Sequence, residues 1–195
     1  MLKNGAVRAL FSSTIVLLLL VACGSQLPPA IKDEMAVTQA RAPGSTTLVF
    51  FTDFQCPFCR KTHAALAPLL SDRKVRVVLR HVPLPRHPDA RTAARASVCV
   101  ESMLPDKSLA YAHALFSAPD ISEAACEEIA IAEGIDRDQF RRCVADRATD
   151  ERIERDIAIY ESVGGDGVPL LFIGRTRLEG MQPRSRLEAA LDAEK

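Results

Sequence analysis

Two cysteines separated by two residues, Cys56-Pro57-Phe58-Cys59, are the groups in this sequence best suited to covalent chemistry. A disulfide between positions i and i+3 closes a very small loop, and at a helix N-terminus such a pair can turn its first sulfur outward and its second inward. Unpaired backbone N–H groups and the positive end of the helix dipole favour a thiolate at Cys56. A lowered thiol pKa makes Cys56 a better leaving group and the disulfide more oxidising. Zinc would need a second ligand pair at matching spacing, whereas His63, His81, His87 and His113 are scattered. Haem attachment would need histidine where Arg60 stands. The pair reads as a redox centre, with neither metal nor organic cofactor required.

The flanking segments supply the elements that must hold it. TTLVFFTDF (46–54) is a β-branched and aromatic run, apolar on both faces, as expected of a fully buried strand. CPFCRKTHAALAPLL follows as a helix with Pro57 in its first turn, and Pro68 is expected to kink or shorten its end. KVRVVLRHVPL (74–84) reads as a second strand, completing a βαβ unit. Residues 86–148 are helical by pattern throughout, with Gly134 as a stop and Asp136 and Gln139 as a capping box. TDERIERDIAIYESVG (149–164) is a helix with Thr149 as cap and Gly164 past its end. GVPLLFIG and RTRLEG are short strands meeting at Gly174-Arg175, and PRSRLEAALDAEK is a final helix. Without residues 86–148, the order is strand, helix, strand, helix, strand, strand, helix.

FFTDFQCPFC, followed far downstream by GVPLLFIG, resembles the DsbA-like branch of the thioredoxin superfamily over residues 46–195. The resemblance implies an α/β, thioredoxin-like fold with an all-helical insertion at 86–148. It makes Cys56 the attacking and accepting cysteine, Cys59 the buried partner, and Val168-Pro169 a substrate-docking element with a cis peptide bond. X-Pro is the bond where cis is inexpensive, and proline brings no N–H to a tight crossing. Pro57 and Phe58 are the dipeptide that tunes the pair. Many relatives carry an acid beneath the buried cysteine; here the strand offers Leu48, Val49, Phe50 and Phe51, leaving Asp53 as the candidate proton relay or a turn residue. Related proteins often tie two insertion helices with a cysteine pair. That favours Cys99 with Cys143, against Cys126 with Cys143 or three free thiols.

Residues 1–22 carry Lys3 and Arg8, then an apolar stretch from Ala9 to Ala22 shorter than the about 20 residues of a bilayer span, and then Cys23. Leu20-Val21-Ala22-Cys23 resembles a bacterial lipobox, so 1–22 is read as a signal peptide and Cys23 as the lipidated N-terminus; an ordinary cleaved signal is the alternative. Residues 23–45, punctuated by Pro28, Pro29, Pro43 and Gly44, read as a flexible tether. The expected location is the periplasmic side of the cell envelope, an oxidising compartment. With 25 Lys plus Arg against 25 Asp plus Glu, the whole chain is formally neutral, and without residues 1–22 it is slightly acidic, which argues against nucleic acid as partner.

The activity implied is thiol:disulfide exchange with exported client proteins, most simply their oxidation by a monomer that a membrane redox partner resets. A thioredoxin-type periplasmic reductase is one alternative. A copper-binding or metallochaperone protein using Cys56, Cys59 and His63 is another. An isomerase is disfavoured because no dimerisation domain precedes the core.

Overall fold

The computed structural model describes residues 27–194. In chain order the elements are α1 (Pro29–Arg41), β1 (Thr46–Thr52), α2 (Pro57–Leu70), β2 (Val75–His81), α3 (Ala90–Met103), a 3-10 turn (Pro105–Lys107), α4 (Ser108–Ser117), α5 (Glu123–Ala132), α6 (Arg137–Ala145), α7 (Arg147–Ser162), β3 (Leu170–Ile173), β4 (Thr176–Glu179) and α8 (Arg184–Asp192). The sheet order is β2-β1-β3-β4. β1 runs parallel to β2, from Thr46 opposite Val75 to Thr52 opposite His81, and antiparallel to β3; β3 and β4 form an antiparallel hairpin. This is a thioredoxin-like α/β fold carrying a helical insertion between β2 and α7.

β1 is covered on both faces, which its unbroken apolar run requires. Phe50 stacks on Phe116 of α4 with ring centres 6.0 Å apart, while Phe51, on the opposite face, packs against Tyr160 of α7 at 5.8 Å. α2 continues through Pro68 to Leu70 instead of ending early. Pro68 lies in the last turn and is exposed, so the hydrogen bond it lacks is near the frayed end. Arg73 donates to the Leu69 carbonyl at 2.8 Å and covers part of that end.

The insertion packs around α3, whose buried face is made of small residues: Ala90, Ala93, Ala94, Ala96 and Ser97, with Cys99 and Val100. Short side chains let α4, α5, α6 and α7 approach it closely. Cys99 of α3 and Cys143 of α6 form a disulfide with Cα atoms 5.8 Å apart. The 44-residue separation contributes about 3 to 4 kcal/mol in the loop-entropy account. Asp136 caps α6 by accepting from the Gln139 N–H at 2.9 Å. α7 begins earlier than its sequence suggests: Asp146, not Thr149, is the cap and accepts from the Ala148 N–H at 2.9 Å. Thr149 is buried in the first turn, where its hydroxyl donates to the Cys143 carbonyl at 2.7 Å.

The N-terminal boundary also needs correction. Part of the supposed tether is α1, with proline preorganised at its first position. Ile31 is completely buried in the core, and Glu34 pairs with Arg80 of β2. Arg80 also reaches Asp156 of α7 at 3.0 Å, a fully buried carboxylate that accepts from the His81 N–H at 3.0 Å. α1 is therefore fastened by the apolar packing of Ile31, with Ala30 and Met35 beside it, and by the Glu34–Arg80 ion pair, and the folded unit starts well before residue 46. The signal and lipidation readings at 1–22 and Cys23 lie outside the described residues. Among the described residues no helix is long and apolar enough to cross a membrane.

Replacing a completely buried isoleucine by alanine typically costs about 2 to 5 kcal/mol. Ile31→Ala is expected to lower the unfolding free energy in urea by about 2 kcal/mol or more. An unchanged midpoint and slope would restore residues 29–41 to the status of a tether.

Candidate redox site

β1 ends at Thr52, and Asp53 turns the chain into α2. One oxygen of the Asp53 carboxylate accepts the N–H groups of Gln55 at 2.7 Å and Cys56 at 3.1 Å. The other accepts the Leu84 N–H at 2.9 Å and meets His87 Nδ1 at 2.7 Å. A buried carboxylate needs such partners to offset its lost hydration. Of the two sequence readings of Asp53, relay and turn residue, these contacts describe the second: its carboxylate fastens the turn. Gln55 extends the fastening by accepting the Asp89 N–H at 2.8 Å, and Arg60 donates from Nε to the Phe54 carbonyl at 2.7 Å.

Pro57 occupies the first turn of α2, Cys56 is its N-cap and Cys59 lies on its buried face. Both sulfurs are reduced in this structure. The expectation of an outward-facing Cys56 is not met: the residue is 1% exposed and Cys59 0%, while Phe58 projects into solvent at 52%. The cover comes from the loop before β3. The Val168–Pro169 peptide bond is cis, and the Val168 carbonyl lies 3.8 Å from Cys56 Sγ. That loop is held from two sides. The Gly180 N–H donates to the Pro169 carbonyl at 2.8 Å. On the other side its start lies against the Tyr160 ring at Gly165. Glycine is required at 165 because a Cβ there would fall 2.1 Å from that ring.

The two thiols are made unequal by their surroundings. A hydrogen bond from the Cys59 thiol, assisted by the N–H groups of Cys59 and Phe58, brings the Cys56 pKa from 9.0 to about 6, against the opposing effects of burial and of the Asp53 charge. Burial first, and the bond to Cys56 second, drive the Cys59 thiol well above its ordinary value. The Thr52 hydroxyl completes no regular hydrogen bond but lies near enough to ease Cys59 ionisation slightly. The first proton leaves Cys56, and Cys59 keeps its own. The helix N-terminus contributes as the sequence suggests, but the partner thiol contributes more.

The site gathers Asp53, Cys56, Pro57, Phe58, Cys59, Val168 and Pro169. Cys99 and Cys143 stand apart in the insertion. His63 stacks on Phe116 at 4.3 Å and approaches His113 at 5.1 Å, and burial pushes its pKa down to about 4. Among the described residues no cluster of three or more His, Cys, Asp or Glu has a metal-holding arrangement. Gln55, His87 and Tyr160 were not legible as site residues, since each acts through a main-chain group or a residue distant in sequence.

A family model described as thioredoxin matches residues 32–193. The Na(+)/H(+) antiporter NhaA 3 of Salinispora tropica is 32% identical over 149 residues, covering 74% of this chain and 22% of the antiporter. The chain spans less than a third of the length of the curated relatives it matches. A thioredoxin-like oxidoreductase from Silicibacter pomeroyi DSS-3 superposes with a TM-score of 0.67 at 27% identity, over 78% of this chain and 88% of that one. The thiol-disulfide exchange protein alpha-DsbA2 from Wolbachia pipientis has a TM-score of 0.71 at 21% identity, over 84% and 95% of the two chains.

The thiol inequality fixes a pH dependence. A depressed Cys56 pKa stabilises the reduced protein relative to the oxidised one above the ordinary thiol value, and this advantage is lost as pH falls through about 6. Alkylation of the reduced chain by iodoacetamide is expected to rise through pH 6 and level off by about 7.5. A midpoint near 8.5, that of a free thiol, would contradict the assignment.

Proposed function

The chain belongs to the thioredoxin family and carries its DsbA-like fold, and from that membership we propose that it is a thiol:disulfide oxidoreductase that oxidises exported client proteins. The observation that carries this reading is the Cys56–Cys59 pair at the start of α2, with Cys56 acidified and the Val168 carbonyl 3.8 Å from its sulfur.

The cycle begins from the Cys56–Cys59 disulfide. A client thiolate attacks Cys56 Sγ, forming a mixed disulfide as the bond to Cys59 breaks, and Cys59 leaves with the electron pair and takes up a proton. A second client thiolate then attacks the client sulfur of the mixed disulfide, and Cys56 leaves as a thiolate. The client gains one disulfide and the protein holds two more electrons. Acidity of Cys56 favours that last departure and stabilises the reduced product, which is the thermodynamic basis of an oxidant. The main chain at Val168 supports an extended client segment beside Cys56, and exposed Phe58 supplies an apolar contact.

Resetting the pair requires an electron acceptor, which we place in the membrane. Export and a lipid anchor at Cys23 would hold the protein at the periplasmic side of the envelope. A periplasmic thioredoxin-like protein of Salmonella enterica serovar Typhimurium shares the fold. The reading is of a monomer without metal, organic cofactor or nucleic acid.

Equilibrating the purified full chain in glutathione buffers and trapping its thiols gives the reduction potential of the Cys56–Cys59 couple. A value in the range of about −120 to −180 mV, that of DsbA and protein disulfide isomerase, is expected. A value near or below about −250 mV would make the protein a reductase.

A further inference from the structure

The reaction above uses the two sulfurs and the Val168 main chain, and leaves the paired Asp53 and His87 without a part. Asp53 is sealed, with its side chain 0% exposed, and His87 is 15% exposed, with Nδ1 at 2.7 Å from Oδ2. The same carboxylate accepts the Cys56 N–H, so its charge sits directly behind the nucleophile's main chain. His87 lies in the segment between β2 and α3, and the Leu84 N–H of that segment binds the same oxygen. Two stretches far apart in sequence thus converge on one buried charge.

A carboxylate behind the reacting sulfur opposes the thiolate by like-charge repulsion. Its influence depends on what shares its charge. Main-chain N–H groups are fixed donors, whereas the imidazole is a side-chain donor that a substitution removes. The other charged groups facing Asp53 are Arg60 and the Cys56 sulfur itself, with Asp89 tied in through Gln55.

We propose that His87 is a positioning residue of the redox site: through its contact with Asp53 it holds and offsets the carboxylate behind Cys56, and so sets how readily Cys56 attacks and leaves. The inference rests on the redox reading of the cysteine pair and adds to it the residue that adjusts the pair's reactivity from the insertion side. His87 touches neither sulfur. It acts by donating to Asp53, which withdraws negative charge from the Cys56 main chain and keeps the turn between β1 and α2 in register with the segment after β2.

The test follows Cys56 alkylation against pH in the full-length reduced chain and in His87→Ala, Asp53→Asn and the double variant. Loss of the imidazole donor in His87→Ala leaves the carboxylate less offset, so alkylation at pH 5 is expected to fall about threefold, equivalent to a midpoint raised by about half a unit. Asp53→Asn keeps an oxygen for the Cys56 N–H and removes the charge, and is expected to shift alkylation the opposite way by a similar factor. In the Asp53→Asn background, His87→Ala should change nothing further. A His87 effect that persists there, or an Asp53→Asn profile that moves upward or stays in place, overturns the proposal. If His87→Ala does not fold, His87→Gln takes its place: its amide restores a donor toward Asp53 and is expected to keep the profile nearer the parent than His87→Phe, which offers none, and equal profiles for the two overturn the role of His87. A parent midpoint near 8.5 would overturn both the redox reading and this one, whereas a depressed parent midpoint that neither variant moves overturns the role of His87 alone.

Discussion

Burial of one thiol is the constraint on which the rest of the site depends. Cys59 is turned into the core of a helix whose inner face also carries Leu66 and Leu69, where ionisation is costly, so it keeps its proton. A protonated Cys59 is a donor, and its nearest use is Cys56, one helical turn away. The same burial that makes Cys59 a poor acid therefore makes Cys56 a good one. Everything else in the site preserves that inequality. Pro57 starts the helix so that N–H groups point toward Cys56, the Asp53 turn holds the first turn against β1, and the Val168 carbonyl closes over the sulfur.

The helical insertion is part of this arrangement. Arg60 of α2 donates to the carbonyls of Phe116 at 3.1 Å and Ala118 at 2.6 Å, binding the start of α2 to the end of α4. Gln55 binds Asp89, the residue before α3, and Asp53 binds Leu84 and His87 just ahead of it. Polar links thus run from three residues near Cys56, namely Asp53, Gln55 and Arg60, to segments that a bare βαβ unit would lack. The aromatic contacts agree with them, since Phe54 packs at a tilt against Phe116 at 4.6 Å and against His81 at 5.6 Å.

What could be read from the sequence was what is encoded locally and repeatedly. The buried β1 announces itself by an unbroken apolar run, α2 by its first-turn proline, and the β3–β4 turn by Gly174. α1 escaped notice because Ile31 and Thr38 are its buried residues and the rest is exposed or half-exposed, so no apolar stripe marks it; its partner is Arg80, which lies far along the chain. Asp53 was visible as the lone acid near the cysteines and as a candidate turn residue, but its partners were not, because three of the four are main-chain N–H groups and the fourth is 34 residues away. The cap of α7 was misplaced for a similar reason. Asp146 and Thr149 are both good caps, and the choice was settled by burial of Thr149 against Cys143.

Three kinds of cysteine coexist here without being confused, and thiolate availability separates them. Exchange requires a thiolate. Cys56 supplies one, whereas Cys99 and Cys143 are already joined across α3 and α6. Cys126 is a buried free thiol whose S–H donates to the Ile121 carbonyl at 3.3 Å, and burial pushes its pKa up to about 12. It lies in the same helical insertion as the disulfide, yet at neutral pH only about one molecule in 10⁵ would carry its thiolate. An odd cysteine is tolerable beside a disulfide only if it cannot attack. Here the apolar packing around α5 supplies that inertness, leaving electron transfer, among the described cysteines, to the pair whose environment favours a charged sulfur.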